Sequence, residues 1–241
     1  MSKRFLNVML RGSQRPHASR SPRTAAYAAV HLLAAFAVLA VAAFAPAALA
    51  QAPAAGIDYV VLNEKQPTET PDKVEVLEFF WYGCPHCYTL EPALDEWARR
   101  QPKDVAFKRV PAPFNKQWEI GARVFYALEA IGEADRLTPI VFNAIHREGV
   151  RANDEKAISA VLAKNKVDMA KYDAAYKSFG VDAKIRRAEQ LLKAYRLDAV
   201  PAVAVNGKYL VSASLAGGHK RMIDIIDMLV AQSRKEIAAG K

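Results

Sequence analysis

Residues Val74-Glu75-Val76-Leu77-Glu78-Phe79-Phe80-Trp81-Tyr82 are too continuously apolar for a strand with one wet face. Such a run belongs in the middle of a sheet covered on both sides. Gly83 interrupts it, and Cys84-Pro85-His86-Cys87 follows at once. Pro85 suits the first turn of a helix, where the N–H it lacks would have no acceptor. A helix is therefore expected to about Arg100, with a kink near Pro92. A central strand delivering two thiols to a helix tip constrains the chain more than any bulk property does.

These are the only two cysteines in 241 residues, so a framework of structural disulfides is excluded. Their spacing lets them pass between dithiol and disulfide without moving the rest of the chain. The attacking species in such exchange is the thiolate, so the site must lower a cysteine pKa. A helix N-terminus aims unpaired N–H groups and partial positive charge at Cys84. His86 can add a hydrogen bond or a charge near the same sulfur. Cys84 is expected to be the exposed nucleophile, and Cys87, one turn in, the buried resolving thiol. Favouring the Cys84 thiolate stabilises the reduced protein. Three pKa units are worth about 4 kcal/mol, or roughly +90 mV in potential, which leans toward an oxidant.

Other chemistries of the pair fit less well. Zinc would need two further ligands, and only His146 and His219 follow His86. Covalent haem attachment needs a histidine where Tyr88 stands. An inert disulfide closing so short a loop stabilises little. No metal is expected, and no organic cofactor, because the cysteines themselves carry the electrons.

The first fifty residues have no acid but carry Lys3, Arg4, Arg11, Arg15, Arg20 and Arg23. An apolar stretch from about Ala25 to Ala45 follows, then Ala48-Leu49-Ala50, a small-x-small cleavage signal. This order reads as a secretory signal peptide over residues 1–50 cleaved after Ala50, and so as export from the cytoplasm. An uncleaved anchor and a start at Met9 are the alternatives. Without the leader the formal charge of +9 falls to about +3, which implies no nucleic-acid partner. Export also places the thiols where a disulfide survives.

Beyond the leader, Tyr59–Leu62 reads as a short strand and Glu64–Asp72 as a loop. Val105–Val110 reads as a third strand closed by Pro111 and Pro113. From Asn115 to about Leu197 the apolar spacing is helical, in five segments. Gly132 and Gly149 end the first two, Asn153 caps the third, Gly180 ends the fourth after Phe179, and the fifth reaches Tyr195. These stripes read as core, with no chemistry assigned. Asn206-Gly207 between Ala202–Val205 and Tyr209–Val211 signals a hairpin. Gly217-Gly218 precedes a last helix from His219 to about Lys235, which makes His219 a surface residue.

Two segments, Val76 to Tyr88 around the cysteines and Val200-Pro201-Ala202-Val203-Ala204-Val205-Asn206-Gly207-Lys208-Tyr209, resemble the DsbA family of periplasmic thiol:disulfide oxidoreductases. The resemblance implies an α/β thioredoxin fold, a mixed central sheet flanked by helices, with an inserted all-helical domain. Residues 51–114 and 189–241 would form the two parts of the thioredoxin-like domain and 115–188 the insertion. It makes Cys84 and Cys87, with Pro85 and His86 between them, the catalytic motif. It implies a cis peptide before Pro201, facing the cysteines, with Val200 offering backbone groups to an extended client. Glu78 becomes a buried acid beneath Cys87, and either Lys108 or Arg109 pairs with it; strand alternation cannot choose. Tyr82 and Gly83 depart from the apolar pair found before the motif in some relatives, and Trp81 enlarges the aromatic surface.

The function so implied is a monomeric dithiol oxidase that introduces disulfides into unfolded exported proteins. A quinone-linked membrane oxidase of the DsbB type would reoxidise it. A disulfide isomerase or reductase on the same fold is the nearest rival, though Gln51–Asp72 is too short for the dimerisation domain of an isomerase. A chaperone holding unfolded chains is the rival from another class.

Overall fold

The structure is a computed structural model and describes residues 52–240. The leader, its cleavage point and Met9 lie outside the described residues. Five strands, β1 (Val60–Val61), β2 (Val74–Phe80), β3 (Val105–Pro111), β4 (Ala202–Val205) and β5 (Tyr209–Ser212), make one sheet in the order β1-β5-β4-β2-β3. The apolar run is the centre of it. All seven residues of β2 are buried, between a parallel β3 and an antiparallel β4.

The helices are α1 (Pro85–Arg99), α2 (Lys116–Ala130), α3 (Ala134–Arg147), α4 (Glu155–Lys164), α5 (Met169–Tyr176), α6 (Phe179–Ala194), α7 (Ala213–Ala216) and α8 (His219–Ala239). Alternation along β2 divides the core in two. Val74 and Val76 pack with Leu90, Leu94 and Trp97 of α1 and with Ile225, Ile226 and Leu229 of α8. Leu77 and Phe79 face the opposite core, shared with Val124 and Leu128 of α2, Leu137 of α3 and Leu192 of α6. Each such side chain is worth about 1.5–3 kcal/mol when fully buried. β2 is thereby fixed in register and depth, and so is the end from which the cysteines emerge.

Some boundaries differ from the sequence expectations, for local reasons. Asp154, not Asn153, caps α4, because its carboxylate accepts the Ala157 N–H at 3.1 Å. Gly180 ends no helix. Ser178 caps α6 through the Val181 N–H, so α5 stops at Tyr176 and Gly180 falls in the first turn of α6. Phe179 accordingly is 75% exposed rather than core. The expected division at residues 188/189 falls inside α6. β3 runs through Pro111, and α8 reaches Ala239. The short α7, capped by Ser212 and closed by Gly217 at φ 74°, was not foreseen.

The Asn-Gly signal holds: Asn206 (φ 52°) and Gly207 (φ 68°) turn the β4–β5 hairpin. A Cβ at Gly207 would overlap the Gln66 carbonyl, so glycine is needed there for space as well as for φ.

Candidate active site

β2 ends at Phe80, and a turn closed by Cys84 N–H on the Trp81 carbonyl (3.0 Å) swings the chain into α1. Gly83 is required in it, since a Cβ would overlap the Trp81 ring, which lies stacked on Trp118 at 3.9 Å. Pro85 opens α1, and the helix is capped by Cys84 itself, whose sulfur accepts the Cys87 N–H at 3.3 Å. Both cysteines are free thiols.

The two sulfurs are driven in opposite directions. The Cys84 pKa falls from 9.0 to about 6, through the hydrogen bond from the Cys87 side chain first, against the cost of burial. The N–H groups of Cys87 and His86 add to the lowering, and the His86 charge adds less than any of these. Burial pushes the Cys87 thiol far above its ordinary value, and the hydrogen bond it makes to Cys84 raises it further. The sequence suggests both the helix-tip N–H groups and His86 as causes, and both contribute. The backbone cap and the partner thiol outweigh His86, whose imidazole faces His219, ring centres 6.3 Å apart. Cys84 is also less open than expected, at 7% exposed against 0% for Cys87. The neighbouring wall explains this: the Cys84 sulfur lies 3.5 Å from the Val200 carbonyl, and the Val200–Pro201 peptide is cis.

Beneath the thiols Glu78 is fully buried, and the β2–β3 register sets it beside Arg109. Arg109 Nε donates to Glu78 at 3.1 Å, while its Nη2 reaches Glu91 at 3.0 Å and Asp95 at 3.3 Å. One cation thus hydrogen-bonds three carboxylates, with the exposed Asp135 a looser fourth at 3.7 Å, and the buried ones cannot all ionise there at ordinary cost. Burial raises the Glu78 pKa against the pull of Arg109. Glu91 rises to about 8, by burial first and by the Glu78 charge second. Oε1 of Glu78 and Oε2 of Glu91 have no hydrogen-bond partner among the described residues. Lys108, the other candidate, points to the opposite face and pairs with Glu75 and Glu69.

Three residues at the site were not singled out from the sequence. Glu91 had a usable signal: Cys87, Glu91 and Leu94 share one helical face, so a carboxylate sits in a buried stripe. His146 of α3 donates from Nε2 to the Tyr82 carbonyl at 2.8 Å and stacks on Tyr88 at 4.7 Å, gripping the chain on both sides of the motif. Nothing in the α3 stripe marks it. His219, expected at the surface, is half-buried and lines a cleft of about 660 Å³ with His86, Val200, Pro201, Leu197 and Leu215. Sequence distance hid this contact.

The DSBA-like thioredoxin domain family matches residues 116–222. The thiol:disulfide interchange protein DsbA of Bordetella parapertussis is 43% identical over 205 residues, covering 85% of this chain and 96% of its own. DsbA of Pseudomonas aeruginosa PAO1 is 38% identical over 198 residues, covering 82% and 92%. The crystal structure of Pseudomonas aeruginosa DsbA superposes with a TM-score of 0.74 at 37% identity, over 80% of this chain and 99% of that one.

Proposed function

The chain belongs to the DsbA family of thiol:disulfide oxidoreductases, and from that premise we propose a division of labour among its site residues. Cys84 is the sulfur that clients attack, and Cys87 is the thiol that leaves when they do. A client thiolate bonds to Cys84 as the Cys84–Cys87 bond breaks, and the electron pair leaves on Cys87. Glu78, holding a proton because it is buried, gives that proton to Cys87. A second client thiolate then attacks the client sulfur of the mixed disulfide, and Cys84 departs as a thiolate. The client gains a disulfide, and two electrons stay on the enzyme. The opposed displacement of the two thiols carries this reading: a sulfur with a pKa of about 6 is a good leaving group, while Cys87 keeps its proton.

Val200 and Pro201 form the opposite wall, where backbone groups pair with an extended client irrespective of its side chains. Pro85 sets the first turn of α1, and His86 adds a modest positive contribution. Residues 51–114 and 189–241 are read as the thioredoxin-like domain and 115–188 as its helical insertion. The basic, apolar, Ala-x-Ala leader supports export to the periplasm with cleavage after Ala50. There the enzyme acts as a monomer on unfolded exported proteins, and a DsbB-type quinone-linked membrane oxidase restores its disulfide.

The test pairs variants with a redox titration. Cys84→Ser should abolish oxidation of a dithiol peptide, and the wild-type potential against glutathione should be more positive than about −180 mV. A value near −270 mV, that of a reductant such as thioredoxin, would contradict the oxidase direction.

A further inference from the structure

The cleft beside Cys84 is apolar apart from His86, His219, Arg196, Asp198 and the serines at 212 and 214. Val200 and Pro201 line it, and the Val200 carbonyl lies 3.5 Å from the Cys84 sulfur, so a client laid along this wall brings its thiol up to Cys84. An entering thiol is mostly protonated near neutral pH, yet only the thiolate attacks. A base at this point would remove the handicap. Two imidazoles face each other across the mouth, His86 from α1 and His219 from the start of α8. At 6.3 Å between ring centres they disfavour being charged together.

We propose that His219 is a catalytic residue of this exchange: its neutral imidazole takes the proton from the client thiol as that thiol attacks Cys84. The inference rests on the reading of Cys84 as the attacked sulfur. The client S–H bond breaks, its proton passes to a His219 ring nitrogen, and its electron pair forms the new S–S bond to Cys84. The Cys84–Cys87 bond breaks with its pair on Cys87, which is then protonated. His219 returns its proton to solvent before the second client thiol attacks.

The surroundings suit a base rather than a cation. Burial, and then the His86 charge, hold the His219 pKa below 6.5. The positive end of α8 acts in the same sense. On its own helix Lys220 faces Asp224 (3.4 Å) and Arg221 is bound to Asp58 (2.8 Å), so neither cation is without an acid. From the segment before Pro201 come Arg196 and Asp198, of opposite charge. Of polar groups, β5 and α7 contribute only the two serines and α1 contributes His86. Among the described residues no hydrogen bond occupies either His219 ring nitrogen, so the ring can accept.

The test is the single-turnover rate at which the oxidised full-length mature enzyme, wild type, His219→Gln or His219→Phe, oxidises a reduced dithiol peptide. It is measured from about pH 6 to pH 9.5, either side of a free thiol's pKa near 8.5. Both variants should be slower by about tenfold at pH 6 and within about twofold of wild type at pH 9.5, where the client ionises unaided. The reduction potential and the Cys84 titration should not move. Wild-type-like rates in His219→Gln, or a deficit equal at both pH values, would overturn the base role alone. A wild-type enzyme inactive at every pH would overturn the exchange reading and this inference with it.

Discussion

Two ion clusters flank the β2–β3 pair, one on each face, built from residues adjacent in sequence. Glu75 and Lys108 meet on one face, and Glu78 and Arg109 on the other. The two glutamates are almost equally buried, 3% and 0% exposed, so burial of the acid is not the difference. The cations are. Lys108 is 36% exposed, and its second acid, Glu69, is open to water and also reached by Arg187. Glu69 lies below its ordinary pKa, chiefly through the Lys108 hydrogen bond. Arg109 is 6% exposed and faces Glu78, Glu91 and Asp95, of which Asp95 is also paired with Arg99. On that face burial wins over charge, and both glutamate pKa values are raised. One cluster fastens a loop to the sheet, while the other lifts two buried glutamates above their ordinary pKa.

The largest expected contrast between the faces is in stability. Arg109→Met leaves the buried Glu78 and Glu91 without a counterion and should cost about 3–5 kcal/mol at pH 8 in urea unfolding. The cost should shrink at pH 5, where protonated carboxyls need no partner. Lys108→Met should cost about 1 kcal/mol or less, since its cluster is open to solvent. Equal losses would erase the distinction.

A smaller effect concerns pH. Glu91 binds its proton more tightly folded than unfolded, with a pKa of about 8 against an ordinary 4.5. The folded state then holds more protons between those values, so stability is full below about pH 4.5 and falls as pH rises through 8. The loss should be on the order of a few kcal/mol. Glu91→Gln should flatten this slope, whereas Glu69→Gln, on the other face, should leave it in place. A slope unchanged by Glu91→Gln would place the raised acid elsewhere.

Much of this was readable from residues alone because it depends on local patterns. The continuous apolar run marked the central strand, Pro85 marked the first turn of α1, and Asn206-Gly207 marked the hairpin. The resemblance around Pro201 supplied the facing wall and its cis bond. What escaped depends on tertiary register. Alternation put Lys108 and Arg109 on opposite faces, but only the parallel pairing of Glu78 with Arg109 says which face is which. Glu91 looked like any helical carboxylate until its place in the Cys87–Leu94 stripe was seen. His219 lies 133 positions beyond His86 in the numbering, and no sequence period connects them. The part of the Cys87 thiol in lowering the Cys84 pKa escaped for a related reason. The side-chain hydrogen bond between the thiols is a matter of geometry, and spacing does not rank it.

The most direct test is the ultraviolet thiolate absorbance of the reduced enzyme followed against pH. The expected result is one thiolate, lost in Cys84→Ser, with a midpoint of about 6, and a second thiol that stays protonated through pH 10. Two thiols titrating together near 9.0 would contradict the opposed tuning on which the exchange depends.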